Sequence, residues 1–398
     1  MIPVALERPG AVRLEALPPL ALYVHIPWCV RKCPYCDFNS HERTGALPEA
    51  EYIDRLMLDL EAALPSVWGR RVISVFIGGG TPSLFSPASI DALLSGVRAR
   101  LVLDPEAEIT LEANPGTVEA ARFRGFRAAG VNRISIGVQS FDERMLAALG
   151  RIHSADEARR AIEAALSSFD NVNIDLMYAL PGQTPAMARA DLDEALRFGL
   201  PHVSAYQLTI EPNTVFWSKR PELPEHDVAA DMQLAAEESL RAAGYEHYET
   251  SAFARPGRRC RHNLNYWQFG DYLGIGAGAH GKLSFPDRVT RHARAKQPNE
   301  YMKPNARVEE SVVSAEELPF EFMLNTLRLV DGFDVRLFSE RTGLPISRID
   351  KPLLEMERKG LLERDWKHLR PTERGRRFLN DLLEAFLPDR PAPAPASG

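Results

Sequence analysis

Long apolar runs are missing from this chain: none approaches the ~18 residues that a membrane-spanning helix requires. A basic stretch followed by an apolar core is absent from the first residues, so no secretory signal is expected and a cytoplasmic location is. Cysteine is scarce, four in 398 residues, which excludes a disulfide framework. Positive charge is not in excess; a formal net charge of −6 argues against a nucleic-acid polyanion as the main partner. No glycine cluster carries the lysine of a phosphate-binding loop or the G-x-G-x-x-G spacing of dinucleotide folds. What is present is ordinary for a soluble protein, 45% hydrophobic and 26% charged. The length suits one large domain of up to ~250–300 residues and a smaller one.

Three of the four cysteines, Cys29, Cys33 and Cys36, fall within eight residues as C-x3-C-x2-C, directly after an apolar run. Thiolates so spaced on one loop can converge on one metal centre. A cubane iron–sulfur cluster has four irons, each wanting an outer ligand. Three cysteines leave one iron open to a chelating small molecule. A structural zinc would instead take a fourth ligand from His25 or His41, but zinc motifs commonly pair two C-x2-C units and no second unit exists here. The cysteine arrangement resembles that of radical S-adenosylmethionine (SAM) proteins, in which the SAM amine and carboxylate occupy the open iron.

Along the chain, residues 1–20 are a Pro-rich lead-in. Strands are expected at Leu22–Ile26, Val72–Ile77, Glu108–Glu112, Arg133–Val138, Val172–Met177 and His202–Leu208. Between them helices are expected at Pro48–Leu64, Pro87–Arg100, Val118–Ala129, Ala155–Leu166 and Pro185–Phe198. This βα alternation predicts an α/β fold with a parallel sheet and right-handed crossovers, as a six-strand open barrel or an eight-strand closed one. Functional residues in such sheets gather beyond the C-terminal strand ends. There the sequence offers Gly78-Gly79-Gly80-Thr81-Pro82, Glu112, Gln139 and Asp175, which points to one shared pocket. Gly274 to His280 is read as a tight backbone passage near that pocket.

Tyr-x-His-Ile-Pro-x-Cys (Tyr23 to Cys29), Gly-Gly-Gly-Thr-Pro (Gly78 to Pro82), Gly-Val-Gln-Ser-Phe (Gly137 to Phe141) and Asn173 to Thr184 together resemble the oxygen-independent coproporphyrinogen III oxidase superfamily. The true oxidase has a fourth cysteine two residues after the third, where this chain has Phe38. Its N-terminal extension is also longer. His262-Asn263-Leu264-Asn265-Tyr266-Trp267 is instead similar to the His-Asn-x-x-Tyr-Trp motif of the HemW-like haem-chaperone branch.

The resemblance implies a radical SAM partial (β/α)6 barrel and three cofactors or cargoes: a 4Fe-4S cluster, SAM and haem. Cys29, Cys33 and Cys36 would hold the cluster, flanked by Tyr23 and Tyr35. Gly79, Gly80 and Thr81 would line SAM, and Glu112 would accept hydrogen bonds from it. Gln139, Arg151 and Asp175 match positions that in the oxidase contact SAM or a second SAM. His25 stays unassigned. The implied function is to bind haem and pass it to an acceptor protein, in the cytoplasm with or without peripheral membrane association; the other branch implies radical decarboxylation of coproporphyrinogen III. His262 is a candidate haem ligand, with Tyr266 and Trp267 as a flat face for the macrocycle. The alternative is an aromatic pair in a packed core with His262 merely hydrogen-bonded. Cys260 carries the same ambiguity.

The implied organisation is a lead-in (1–20), the barrel (21–250), a linking segment (251–313), a winged-helix-like α+β module (314–387) and a disordered tail (388–398). In the module, helices are expected at Glu317–Leu329, Ile346–Arg358 and Leu379–Leu387, with a hairpin of Leu361–Asp365 and Leu369–Pro371. Arg374, Arg376 and Arg377 give it some positive charge. The acidic balance, and the superfamily's use of the module as a lid, weigh against DNA.

Overall fold

The computed structural model describes residues 11–117 and 120–388. Six parallel strands lie side by side in chain order: β1 (Leu20–Ile26), β2 (Arg71–Gly79), β3 (Val102–Ala113), β4 (Arg133–Gln139), β5 (Val172–Tyr178) and β6 (His202–Gln207). Their apolar residues are buried on both faces, as expected of strands covered by crossover helices. Those helices are α1 (Glu49–Val67), α2 (Pro87–Arg100), α3 (Ala120–Ala129), α4 (Ala155–Leu166) and α5 (Pro185–Arg197). Local chemistry sets their starts. Ser86 caps α2, and Thr184 caps α5, each followed by proline at the first helical position. Ser154 and Glu157 form a reciprocal capping box on α4, whose buried stripe is Ala155, Ala158, Ile162 and Ala165.

The sheet is open and continues at both ends. After β6 come α6 (His226–Ala242), β7 (Glu246–Glu249) and β8 (Ala252–Ala254), then α7 (Arg261–Trp267). β9 (Asp271–Ile275), β10 (His280–Phe285), β11 (Arg288–Arg294) and β12 (Val308–Val313) follow. The 12-stranded order is β12-β11-β10-β9-β1-β2-β3-β4-β5-β6-β8-β7. β9 pairs parallel to β1, Leu20 opposite Asp271 and Val24 opposite Ile275. The segment 251–313 thus contributes β8 and β9–β12 to the sheet of the barrel itself.

Beyond β12, helices Leu318–Thr326, Arg336–Thr342 and Asp350–Arg358 precede an antiparallel pair, Leu362–Arg364 and His368–Pro371. Phe333–Asp334 adds a third strand to that pair, and Leu379–Glu384 closes the module. The helix Arg336–Thr342 was not anticipated: its apolar positions are few and Gly343 stops it after two turns. Phe322 anchors the module's core, its ring edge-on to Phe269, Phe333 and Phe338 at 5.7, 5.1 and 5.2 Å. Phe269 follows α7, so this core reaches the barrel sheet. The lead-in is fastened here too: Leu14 is buried in the same cluster, and its amide donates to the Pro286 carbonyl at 2.9 Å. Except for Pro388, the expected tail lies outside the described residues.

Candidate functional site

Pro27 ends β1, and the chain turns into the cysteine loop. Trp28–Cys29 pairs with His41–Glu42, closing the loop at its base. Inside it, the Lys32 ammonium donates to the carbonyls of Phe38 and Ser40, at 3.0 and 3.2 Å. Asn39 fastens the loop to the far side of β1, its amide donating to the carbonyls of Ala277 and Lys296 at 3.0 and 2.8 Å. The glycine passage makes room for that contact: Gly278 has φ +78°, and a Cβ there would lie 2.2 Å from the Asn39 amide nitrogen. Below, the Tyr52 hydroxyl of α1 donates to the His25 carbonyl and accepts from the Ala277 amide, both at 2.8 Å.

The three thiols are half-buried and free, and all border one hollow of about 150 Å³. Each meets a polar neighbour. Thr81 lies 3.5 Å from the Cys29 sulfur, Arg151 3.6 Å from Cys33 and Ser40 3.6 Å from Cys36. Burial raises the Cys29 and Cys36 thiols above their usual range, so a metal centre assembled on them would release protons.

The rest of the hollow comes from β2 to β5 and the residues just past them, where Gly79, Gly80, Thr81, Glu112, Asn114, Ser135, Gln139 and Asp175 line it, and from Arg151 in the loop before α4. Gly79 has φ +114°, and a Cβ there would sit 2.5 Å from the His25 ring. Its amide donates to Glu112 at 3.0 Å. Burial, and then the nearby Asp175, push Glu112 up to about 7, and burial raises Asp175 as well. Arg151 bridges the Gly137 carbonyl and the Asn114 side chain, at 2.6 and 2.8 Å, while its buried Nε finds no partner. Gln139 holds φ +71°, a backbone conformation rare for a residue with a Cβ, at the lip of the hollow. Every cluster and SAM position proposed from sequence therefore borders one hollow, apart from Tyr23. Asn114, absent from that reading, ties Thr81 at 2.8 Å to Arg151. It stands two residues after Glu112, at the same strand-end edge that gave the others.

A larger cavity of about 870 Å³ adjoins it, the two sharing Cys36, Phe38 and Ser40 in their walls. Tyr23, Tyr266, Trp267 and Tyr272 give it an aromatic side, and Lys32, Arg291 and Lys296 a cationic one. Tyr23 donates to His25 Nδ1 at 2.9 Å, and His25 Nε2 donates to the Asn39 carbonyl at 2.9 Å. Both His25 nitrogens are thus engaged, and burial lowers its pKa to about 4. Tyr35 packs against Phe216 on the other side of the loop and lines the smaller hollow.

His262 sits elsewhere. It is buried inside the barrel below both hollows, stacked on Phe76 at 4.9 Å, and lines neither. Nδ1 bonds the Ser74 hydroxyl at 2.9 Å and Nε2 the Tyr266 hydroxyl at 3.0 Å. With both nitrogens occupied and its ring bordering neither hollow, the hydrogen-bonded alternative is the one observed, and the sequence-based haem-ligand reading of His262 is set aside. Its motif partners Tyr266 and Trp267 do reach the larger cavity. Cys260 is likewise buried, 3.3 Å from Glu108, its thiol pushed up to about 12 by burial.

The donor set of the smaller hollow suits an iron–sulfur cluster with a chelating small molecule. Three free thiols stand at separate points of its wall, facing a floor of backbone amides and two carboxyls. The radical SAM superfamily model matches residues 23–195, and the HemN C-terminal domain model residues 313–378. The heme chaperone HemW of Escherichia coli is 51% identical over 93% of this chain and 99% of its own length. That of Haemophilus influenzae is 48% identical, over 94% and 99%. The chain belongs to the HemW family of radical SAM proteins. The HemW of Mycobacterium tuberculosis H37Rv is more distant, 37% identical over 96% of the chain and 98% of that protein. Among solved structures, coproporphyrinogen III oxidase (HemN) of E. coli, a radical SAM enzyme, superposes with a TM-score of 0.78 at 23% identity, covering 93% of this chain and 90% of that one. At that identity the likeness is one of fold. The family's radical SAM domain implies a 4Fe-4S cluster and SAM.

Proposed function

We propose that this protein is a haem chaperone: it holds haem in the larger cavity, a 4Fe-4S cluster with SAM in the smaller hollow, and passes the haem to an acceptor protein. The observation that carries this is the pair of adjoining hollows sharing one wall, Cys36–Phe38–Ser40, one rich in thiols and carboxyls and the other broad, aromatic and cationic. About 870 Å³ falls within the ~300–1,000 Å³ of small-molecule sites. Tyr266, Trp267 and Tyr272 offer ring faces to a macrocycle, and Lys32 and Lys296 offer ammonium groups to its propionates.

Cys29, Cys33 and Cys36 would ligate the cluster. Gly79 and Gly80 keep the floor bare so that the SAM methionine moiety can lie against the backbone, and Thr81 and Asn114 fix the entrance. Glu112 would accept from the SAM amino group; a cation there returns Glu112 to its carboxylate form. Gln139, Arg151 and Asp175 would position the remainder. Bound together, cluster and SAM supply one-electron reductive chemistry. Phe38, which borders both hollows and is 60% exposed, lies on the wall between them.

The test is anaerobic reconstitution with iron, sulfide and SAM, followed by haem titration and an assay on coproporphyrinogen III. The expected result is about four irons per chain, saturable haem binding and no decarboxylation. Cys29→Ser should lose most of the iron. Decarboxylated product from that porphyrinogen would make the protein an oxidase instead, and reconstituted material that takes up no haem would remove the chaperone reading.

A further inference from the structure

Three histidines line the larger cavity, His25, His41 and His280. They differ in what their nitrogens are doing. His25 spends both on Tyr23 and the Asn39 carbonyl. The Nε2 of His41 has no partner but is itself buried, so nothing the size of a macrocycle can approach it without the loop moving. His280 is exposed, and its ring makes no hydrogen bond or ion pair to any described residue. It lies at the first residue of β10, just past the glycine passage. His280 and Lys282, two apart on β10, both line the cavity, as alternate residues of one strand face should. The neighbouring strands add Tyr272 and Arg291 to the same wall, directly opposite Lys282 in the register.

We propose that His280 supplies the axial ligand to the iron of haem bound in the larger cavity, the role that the His-Asn-x-x-Tyr-Trp motif suggests for His262. This rests on haem being the cavity's occupant. A neutral imidazole donates a ring-nitrogen lone pair to the iron, and desolvation at the cavity wall, with the cations Lys296 and Arg291 nearby, favours that form of His280. Tyr266 and Trp267 keep a part, as lining for the macrocycle. The ligand and the motif are then on different elements, β10 and α7, which meet at this cavity.

The experiment is titration of the full chain with ferric haem, read by absorption and by low-temperature electron paramagnetic resonance. Wild type should show histidine-ligated haem. His280→Ala, a change at a ring without partners, should leave the circular dichroism and the melting temperature as they are. It should weaken haem binding roughly tenfold or more and abolish the histidine-ligated signals, and added imidazole should restore them. His280→Cys should convert the spectrum to that of a thiolate-ligated haem. An unchanged spectrum in His280→Ala, or a loss that follows His41→Ala instead, overturns the assignment while leaving the chaperone reading intact. Wild type that binds no haem overturns that reading, and the assignment with it.

Discussion

At the scale of single residues, Glu112 makes the smaller hollow sensitive to pH. Its carboxyl is raised from an ordinary 4.5 to about 7, so the empty protein favours it protonated. A raised acid contributes stability below its unfolded pKa and loses it as pH climbs through the folded one. Between pH 5 and pH 8 the SAM-free protein should therefore lose on the order of 3 kcal/mol from this group. Thermal melts across that range should show it, and Glu112→Gln should flatten the profile. Gly79→Ala makes a different point. A methyl group at φ +114° and 2.5 Å from the His25 ring has no room, so that variant should lose SAM binding by isothermal titration and at least ~1 kcal/mol of stability. Glu112 and Gln139 were legible in the sequence because they close strands whose apolar runs announce them, and Asp175 because it interrupts such a run. Asn114 shares that edge and was overlooked inside an Asn-Pro-Gly turn, where asparagine is commonplace. His280 had no signal of its own, since what singles it out is the absence of a partner.

Among the elements, the six barrel strands and their helices were readable to within a few residues, apart from the start of β3 at Val102, well before the expected Glu108, because buried parallel strands are near-continuous apolar runs between capped helices. β9 was not read as a strand. Its partner β1 is about 250 residues away, and Leu-Gly-Ile-Gly-Ala-Gly looks like a loop until β1 and the Asn39 contact explain the glycines. The same non-locality hid the ion pairs that hold β9 in place. Asp271 is buried between Lys282 at 2.9 Å and Arg70 at 2.8 Å. Asp271→Asn leaves two cations short of a counter-charge and should cost about 3–5 kcal/mol in denaturant unfolding. In the C-terminal module, Phe322→Ala empties the meeting point of three rings and should cost a similar ~3–5 kcal/mol. Because Phe269 belongs to that cluster, the loss should appear in the whole molecule's transition and not as a separate early step.

For the molecule as a whole, α7, β9, β10 and the cysteine loop matter more together than apart. The larger cavity draws its walls from residues 23–41, 212–213, 266–296 and 324–325, a set that only the assembled sheet brings side by side. Sequence motifs can name the chemistry of such a place but not its neighbours. The wall made by Cys36, Phe38 and Ser40 has a further consequence. Two ligands that press on one partition cannot be thermodynamically indifferent to each other unless the partition is rigid. By linkage, whatever factor SAM bound at an iron–sulfur centre would apply to the hold on porphyrin, a bound porphyrin would return in equal measure to the hold on SAM. A chaperone of this construction can let go of its cargo in response to the state of the adjoining chamber, without any element of the fold having to travel far.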